Sequence, residues 1–277
     1  MLQRTWSKLV VLAALLACAP FASAQSLPVQ TTVSGNTATV VVGSPANPVA
    51  DLTLTFDDAS GLSASSLGIQ AQLVDLSNPA LLARLPGALA QPDSLFPLLV
   101  TIEPPQAGGL AFHRTVRVEV HTHALVYSAG SNYRLFKAPL GGNFKDITDD
   151  VSPGSVRARG TTGGFSQFLV LADLRETRAV VASKFAALRA RVDTLPSGEQ
   201  AAFDALLDGA QASVATGAYA DAIAAIDTFR ARAASRAGNQ LTDTWLATRT
   251  GDNQAGDLIA GAATLRFSVG YLRDYGN

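Results

Sequence analysis

Between Pro28 and Asp173 apolar and polar residues alternate with a period of two. The pattern is clear in "TATVVV" (37–42), "DLTLTF" (51–56), "GIQAQLV" (68–74) and "LLVTIE" (98–103). It continues in "TVRVEVHTHALVY" (115–127), "YRLFKA" (133–138), "SVRARG" (155–160) and "FSQFLVLA" (165–172). Alternate side chains of a strand point to opposite faces, so this is the signature of half-buried strands. Turn signals separate them: Ser34-Gly35-Asn36, Gly108-Gly109, Ala129-Gly130-Ser131, Gly141-Gly142-Asn143 and Gly163-Gly164. Short strands joined by Gly-rich turns predict an antiparallel β-sandwich. "NPALLARL" (78–85) reads as a short helix within it.

Near Leu174 the period lengthens. Val181, Phe185, Leu188, Val192 and Leu195 step by fours and threes, as do Phe203, Leu206, Ala210 and Val214. Tyr219, Ile223, Ile226, Phe229 and Ala233 make a third stripe, and Leu258, Ala262, Leu265, Val269 and Leu272 a fourth. Each is the apolar face of one helix. Ser197 and Gln200 stand at capping-box spacing, and Gly217 and Gly238 suit helix C-termini. Short connections favour antiparallel neighbours. The sequence therefore predicts an α+β chain: an antiparallel β-sandwich over residues 25–175, then an antiparallel helical bundle over 176–277. No Pro- or Gly-rich linker lies at 173–177, so the first helix is expected to dock on the sandwich near Val180 and Val181.

The last stripe, residues 255–272, is apolar enough to prompt a membrane check. Asp257 and Arg266 sit inside it, and burying either in lipid is costly, so it reads as a core helix.

The leading 24 residues follow a different logic. Arg4 and Lys8 precede an apolar run from Leu9 to Ala17, and Ala22-Ser23-Ala24 closes the segment. That order is a secretory signal peptide, which implies cleavage before Gln25 and a periplasmic or extracellular protein. "LLAC" (15–18) offers a second reading, a lipoprotein anchored at Cys18. With 48% hydrophobic and 16% charged residues, the chain of 277 residues can build a sizeable core. Cys18 is the sole cysteine, so the mature chain has neither disulfide, thiol nucleophile nor Cys-ligated zinc. The net charge of -1 becomes -3 once Arg4 and Lys8 are removed, and no basic run remains. Nucleic acid is an unsuitable partner for such a surface.

Candidate chemistry is sparse. "EVHTH" (119–123) puts Glu119, His121 and His123 on one face of a strand, a possible metal set with His113 as a further imidazole. The opposing reading is a strand whose polar face is wet, with both imidazoles in solvent. Asp146, Asp149 and Asp150, and separately Asp57 and Asp58, are carboxylate runs without the spacing of a calcium loop; they read as solvated turns. No nucleophile elbow, P-loop or dinucleotide fingerprint occurs, and no cofactor is called for. The only Trp of the mature chain is Trp245, in the helical half, which weakens a carbohydrate-binding reading.

Residues 133–174, with "GLSASSLGIQAQLVD" (61–75) and "VEVHTHALVY" (118–127), resemble an uncharacterised family of exported bacterial proteins, a domain of unknown function. That resemblance implies export and a β-then-α layout. Residues 205–243, with Gly217 between helices and Phe229 near the end of the next, resemble helical modules of the FIMAH type found in bacterial extracellular proteins. These imply a spacer or attachment role. "GGFSQF" (163–168) is similar to the self-cleaving ending of ZU5- and GAIN-type sandwiches, but Gly164 stands where their His would be, leaving Ser166 without a base. The expectation is an exported, non-enzymatic module for binding, attachment or envelope structure, whose partner is a protein or an envelope or extracellular polymer. A metal-binding protein or metal-dependent enzyme using Glu119, His121 and His123, and a carbohydrate-binding module, are the alternatives.

Overall fold

The computed structural model describes residues 24–276. The segment carrying Arg4, Lys8, Cys18 and Ala22-Ser23, on which the export reading rests, lies outside the described residues.

The strands, in chain order, are β1 (Gln25–Leu27), β2 (Val29–Ser34), β3 (Thr37–Ser44), β4 (Asn47–Ser60), β5 (Ile69–Leu73), β6 (Ala90–Pro92) and β7 (Leu98–Ile102). There follow β8 (Ala111–Thr122), β9 (Tyr133–Ala138), β10 (Lys145–Asp146), β11 (Thr148–Ser152), β12 (Val156–Thr162), β13 (Gln167–Asp173) and β14 (Thr244–Leu246). One sheet runs β1-β5-β7-β13-β9-β10, with β6 also beside β13. The other runs β11-β12-β8-β4-β3-β2, with β14 also beside β8. Every pairing is antiparallel, as the two-residue period predicts.

The sheets share one core. Val40, Leu52, Leu54 and Val118 face Val100, Leu135, Phe168 and Val170 across it. Each such side chain, fully buried, stabilises the fold by roughly 1.5–3 kcal/mol before entropy is charged. β13 departs from alternation: Phe168, Leu169, Val170 and Leu171 are all buried. Its second face is covered too, by a smaller cluster of Leu81, Leu85, Phe136, Phe144, Leu169 and Leu171. A strand covered on both faces reads as a continuous apolar run. The short helix foreseen at 78–85 belongs to this cover and forms over Pro79–Leu82, capped by the Asn78 side chain.

The helices are α1 (Ala64–Leu67), α2 (Pro79–Leu82), α3 (Thr177–Val192), α4 (Ser197–Ala215), α5 (Tyr219–Arg236) and α6 (Gln254–Tyr275). The last four pack around their own core, and α6 lies against both α3 and α5. Val181, Phe185, Leu188, Val192, Phe203, Ile226, Phe229 and Leu265 fill that core, as the stripes foretold. Gly217 ends α4 in the left-handed region (φ 76°), with Gly217 N–H bonded to Val214 C=O and Ala218 N–H to Ser213 C=O. This pairing satisfies carbonyls that the helix leaves open. The capping box at Ser197 does not form; Pro196 is the cap, and the Gln200 amide donates instead to the Asp193 and Leu195 carbonyls. No helix among the described residues is long and apolar enough to cross a membrane, in keeping with the core reading of 255–272.

The two halves are stitched together in ways the period change does not reveal. After α5 the chain returns to the sandwich as β14, where Trp245 stacks on Phe112 at 5.1 Å and joins the sandwich core. β8 can take this extra strand because it changes partner partway: β12 pairs with Val116–Thr122, β14 with Ala111–His113. At the change β8 bulges, Arg114 and Thr115 standing opposite the single Asp57 of β4; Arg114 adopts φ 57°, and its carbonyl accepts the Asn253 amide at the start of α6, 2.7 Å. Gly256 passes so close that a Cβ there would collide with the same carbonyl, and a Cβ on Gly163 would lie 2.7 Å from Asp257 Oδ1. Docking thus runs mainly through α6. From α3 the anchoring side chain is Lys184: Val180 is buried, while Val181 belongs to the helical core.

Candidate functional site

β8 presents Arg117, Glu119 and His121 on its outer face, as the alternation requires. Cross-strand neighbours then decide their chemistry. Glu119 faces Arg159 on β12 and Thr53 on β4. Its carboxylate is shared between Arg157 (3.1 Å) and Arg159, and Arg159 also pairs with Asp150. Burial pushes the Glu119 carboxyl up, but the two guanidiniums outweigh it and hold the group below the ordinary carboxylate range. Next along, His121 lies between Asp51 and Arg157.

His121 is 8% exposed, which corrects the expectation that it points into water. Its Nε2 is 2.9 Å from Ser155 Oγ and its Nδ1 3.7 Å from Asp51 Oδ2. Burial, with Arg157 and His123 nearby, lowers its pKa below the usual histidine value against the pull of Asp51 and Glu119. The strand ends at Thr122, whose hydroxyl accepts the Ala124 N–H, so His123 sits in the turn and is exposed. The two rings still meet edge to face, 4.6 Å apart, over Ser155. His113 lies eight residues up the same strand, roughly 25 Å away, and pairs with Asp243 and Thr244. Among the described residues no group of three or more His, Cys, Asp or Glu could hold a metal ion. To ligate one, Glu119 would have to leave two arginines.

The acidic runs lie in strands and not in turns; Asp57 and Asp58 are solvent-exposed as expected, whereas Asp146 and Asp149 are not. The Asp146 side chain is 3% exposed and bonded to Lys184; Asp149 holds Arg117 and the Thr161 hydroxyl; Asp57 holds Thr115 and Arg114. Ser166 is buried and donates to Glu103 (2.7 Å), itself paired with Arg249. Gly164 has a packing reason: a Cβ there would lie 2.8 Å from the Trp245 ring. Trp245 cannot serve as a sugar platform, since Phe112, Phe165 and Arg249 surround it.

A cleft of about 790 Å³, with room for a ligand, lies where β9, β10 and the β12–β13 turn face α3 and α6. Its walls include Pro86, Pro139, Ile147, Leu188 and Ala260. Five cationic side chains and two carboxylates also line it. Three of the cations are paired: Lys184 with Asp146, Arg175 with Asp173, and Arg191 with Asp252 and Asp257. Lys137 and Lys145 have no carboxylate partner among the described residues. They are directly opposite each other on β9 and β10. Lys137 Nζ donates to Thr162 Oγ1 at 2.6 Å. Its stem keeps a flank open to the cleft, but the ammonium lies deep, and burial draws its pKa down to about 8; Asp257 opposes that, while Arg249 and Lys145 add to it. A sequence signal for this pair did exist. Lys137 and Lys145 are equidistant from Gly141 in "KAPLGGNFK", so a hairpin about that glycine brings them together.

The model of a family of unknown function (DUF6689) matches residues 12–273. No curated protein and no solved structure matches the chain.

Proposed function

The chain belongs to that family, and from this premise we propose that it is an exported, non-enzymatic binding protein of the periplasm or cell exterior. The 25–175 sandwich and 176–277 helices would together hold a ligand or attach to an envelope or extracellular polymer. The observation that carries this reading is the cleft at their junction, of a volume suited to a small ligand. Its two lysines without a carboxylate partner contrast with the other cations that line it, each of which is held in an ion pair. Export is supported by the order of residues 1–24. The FIMAH-like look of residues 205–243 supports attachment.

Cell fractionation of a bacterium expressing the full chain tests the first part. The expected product is periplasmic or secreted and has the intact mass of a chain beginning at Gln25. Unprocessed protein in the cytoplasm overturns export, and an acylated Cys18 replaces free secretion by a lipoprotein. Co-sedimentation of the purified mature chain with envelope polymer tests attachment. Metal analysis of the same sample tests the alternative: stoichiometric zinc lost on His121→Ala would favour it.

A further inference from the structure

We propose that the Lys137–Lys145 pair is the anion-binding end of the cleft, and that its ligand is a small organic anion with an apolar body and a carboxylate head. The inference rests on the binding-protein reading and gives its ligand a chemistry.

Three observations carry it. Like charges directly opposite on paired strands repel, so a cross-strand Lys137–Lys145 pair costs stability unless something between them is negative. The other three cations of the cleft each have a carboxylate in ion-pair contact; these two have none, and Asp257 acts on Lys137 only from a distance. An ammonium carries three N–H donors, and Lys137 spends one on Thr162. Thr162 Oγ1 in turn donates to Gly164 C=O at 2.8 Å, which fixes it as the acceptor for Lys137 and steadies the ammonium. Two donors of Lys137 and all three of Lys145 remain for a ligand.

The walls then set the rest of the molecule. Beyond the lysines the cleft is bounded by Pro139, Ile147, Leu188 and Ala260, surfaces that favour an apolar body. Lysines act as point charges and do not impose the bidentate fork that arginine offers a phosphate. A carboxylate between two ammonium groups satisfies both. Asp257, Arg191, Arg249, Asp146 and Lys184 also act on this region, each already held in an ion pair: Asp257 with Arg191, Arg249 with Glu103 and Asp146 with Lys184.

Calorimetric titration of the mature full-length chain tests the proposal with naphthalene-2-carboxylate as the probe. One equivalent is expected to bind. Lys137→Met and Lys145→Glu are each expected to weaken it at least tenfold; the second lies at an exposed position and keeps the fold testable. Acetate, which lacks the body, and naphthalen-2-ylmethylammonium, which reverses the head, are expected to bind at least tenfold more weakly. Absence of naphthoate binding to the wild type overturns the site, as does equal binding by Lys145→Glu or by the cation. Inorganic phosphate binding as tightly as naphthoate overturns the apolar body. Polymer co-sedimentation of the same variants separates the two levels: retention without naphthoate binding sinks this inference alone.

Discussion

Replacing Lys184 by Met should cost more stability than any other single charge removal in the molecule. The ammonium donates to Asp146 Oδ2 (2.6 Å), Thr264 Oγ1 (2.6 Å) and Ser268 Oγ (2.8 Å), so all three protons are placed. Side-chain exposure is 9% for Lys184 and 3% for Asp146. Met keeps the apolar stem but leaves Asp146 with the Thr148 N–H as its remaining close donor. Stranding one partner of a buried pair costs about 3–5 kcal/mol, whereas replacing both by apolar groups is often near neutral. Urea unfolding of Lys184→Met, Asp146→Leu and the double variant at pH 7 measures this, and the double variant is expected to recover most of the loss. The pH profile supplies a signed check. In the wild type, burial pushes the Asp146 carboxyl up, but Lys184 and the Thr148 N–H more than offset it and leave it below the ordinary value. The unfolded chain therefore takes up the proton first as pH falls through about 4, and this stabilisation is lost in acid. In Lys184→Met burial prevails, the carboxyl protonates more readily, and the gap to wild type narrows as pH falls. A loss below about 1 kcal/mol at pH 7, with no narrowing in acid, would refute the reasoning, because it would mean that Asp146 is solvated and the halves are not docked.

Lys137→Met is expected to stabilise the unliganded protein by about 1–2 kcal/mol at pH 7, read from denaturant midpoints. The folded pKa of about 8 lies below the unfolded value, so wild-type stability should rise as pH climbs from about 8 to about 10.4, and the variant should lack that rise. His123→Ala should change stability by no more than about 0.5 kcal/mol, while His121→Ala, which removes a buried ring bonded to Ser155, should cost about 1–2 kcal/mol; the comparison is made with and without zinc, and neither value should depend on it. Gly163→Val should loosen α6 from the sandwich, seen as faster amide exchange at Asn253–Asp257, because even a Cβ there lies 2.7–2.8 Å from Asp257 atoms.

Periodicity made the layout legible because it records which faces are buried. The eight strand segments and four helical stripes all have counterparts in the structure, although the strand read at 115–127 stops at Thr122. What it could not show are contacts between distant segments whose side chains are polar. Asp146 reads as one acid in a loop-like "DITDD" until Lys184, on a helix 38 residues later, closes over it. His121 looked wet because its own face is polar, yet Asp51, Arg157 and Ser155 cover it from neighbouring elements. β14 is three residues long, too short for a period, and its place beside β8 depends on the bulge at Arg114. The cleft lysines were within reach of sequence reasoning through the hairpin about Gly141, but their lack of partners is a property of the folded molecule.

The account stands on the sandwich and the helices forming one body, since the cleft exists at their junction. Trp245 reports on the sandwich core and is the only Trp after residue 24, while far-ultraviolet ellipticity at the helix band reports mainly on α3–α6. Thermal unfolding of the mature chain followed by both signals in one sample tests the claim directly. Coincident transitions with one midpoint are predicted. Helices that melt while the Trp245 emission remains native, or the reverse, would contradict it.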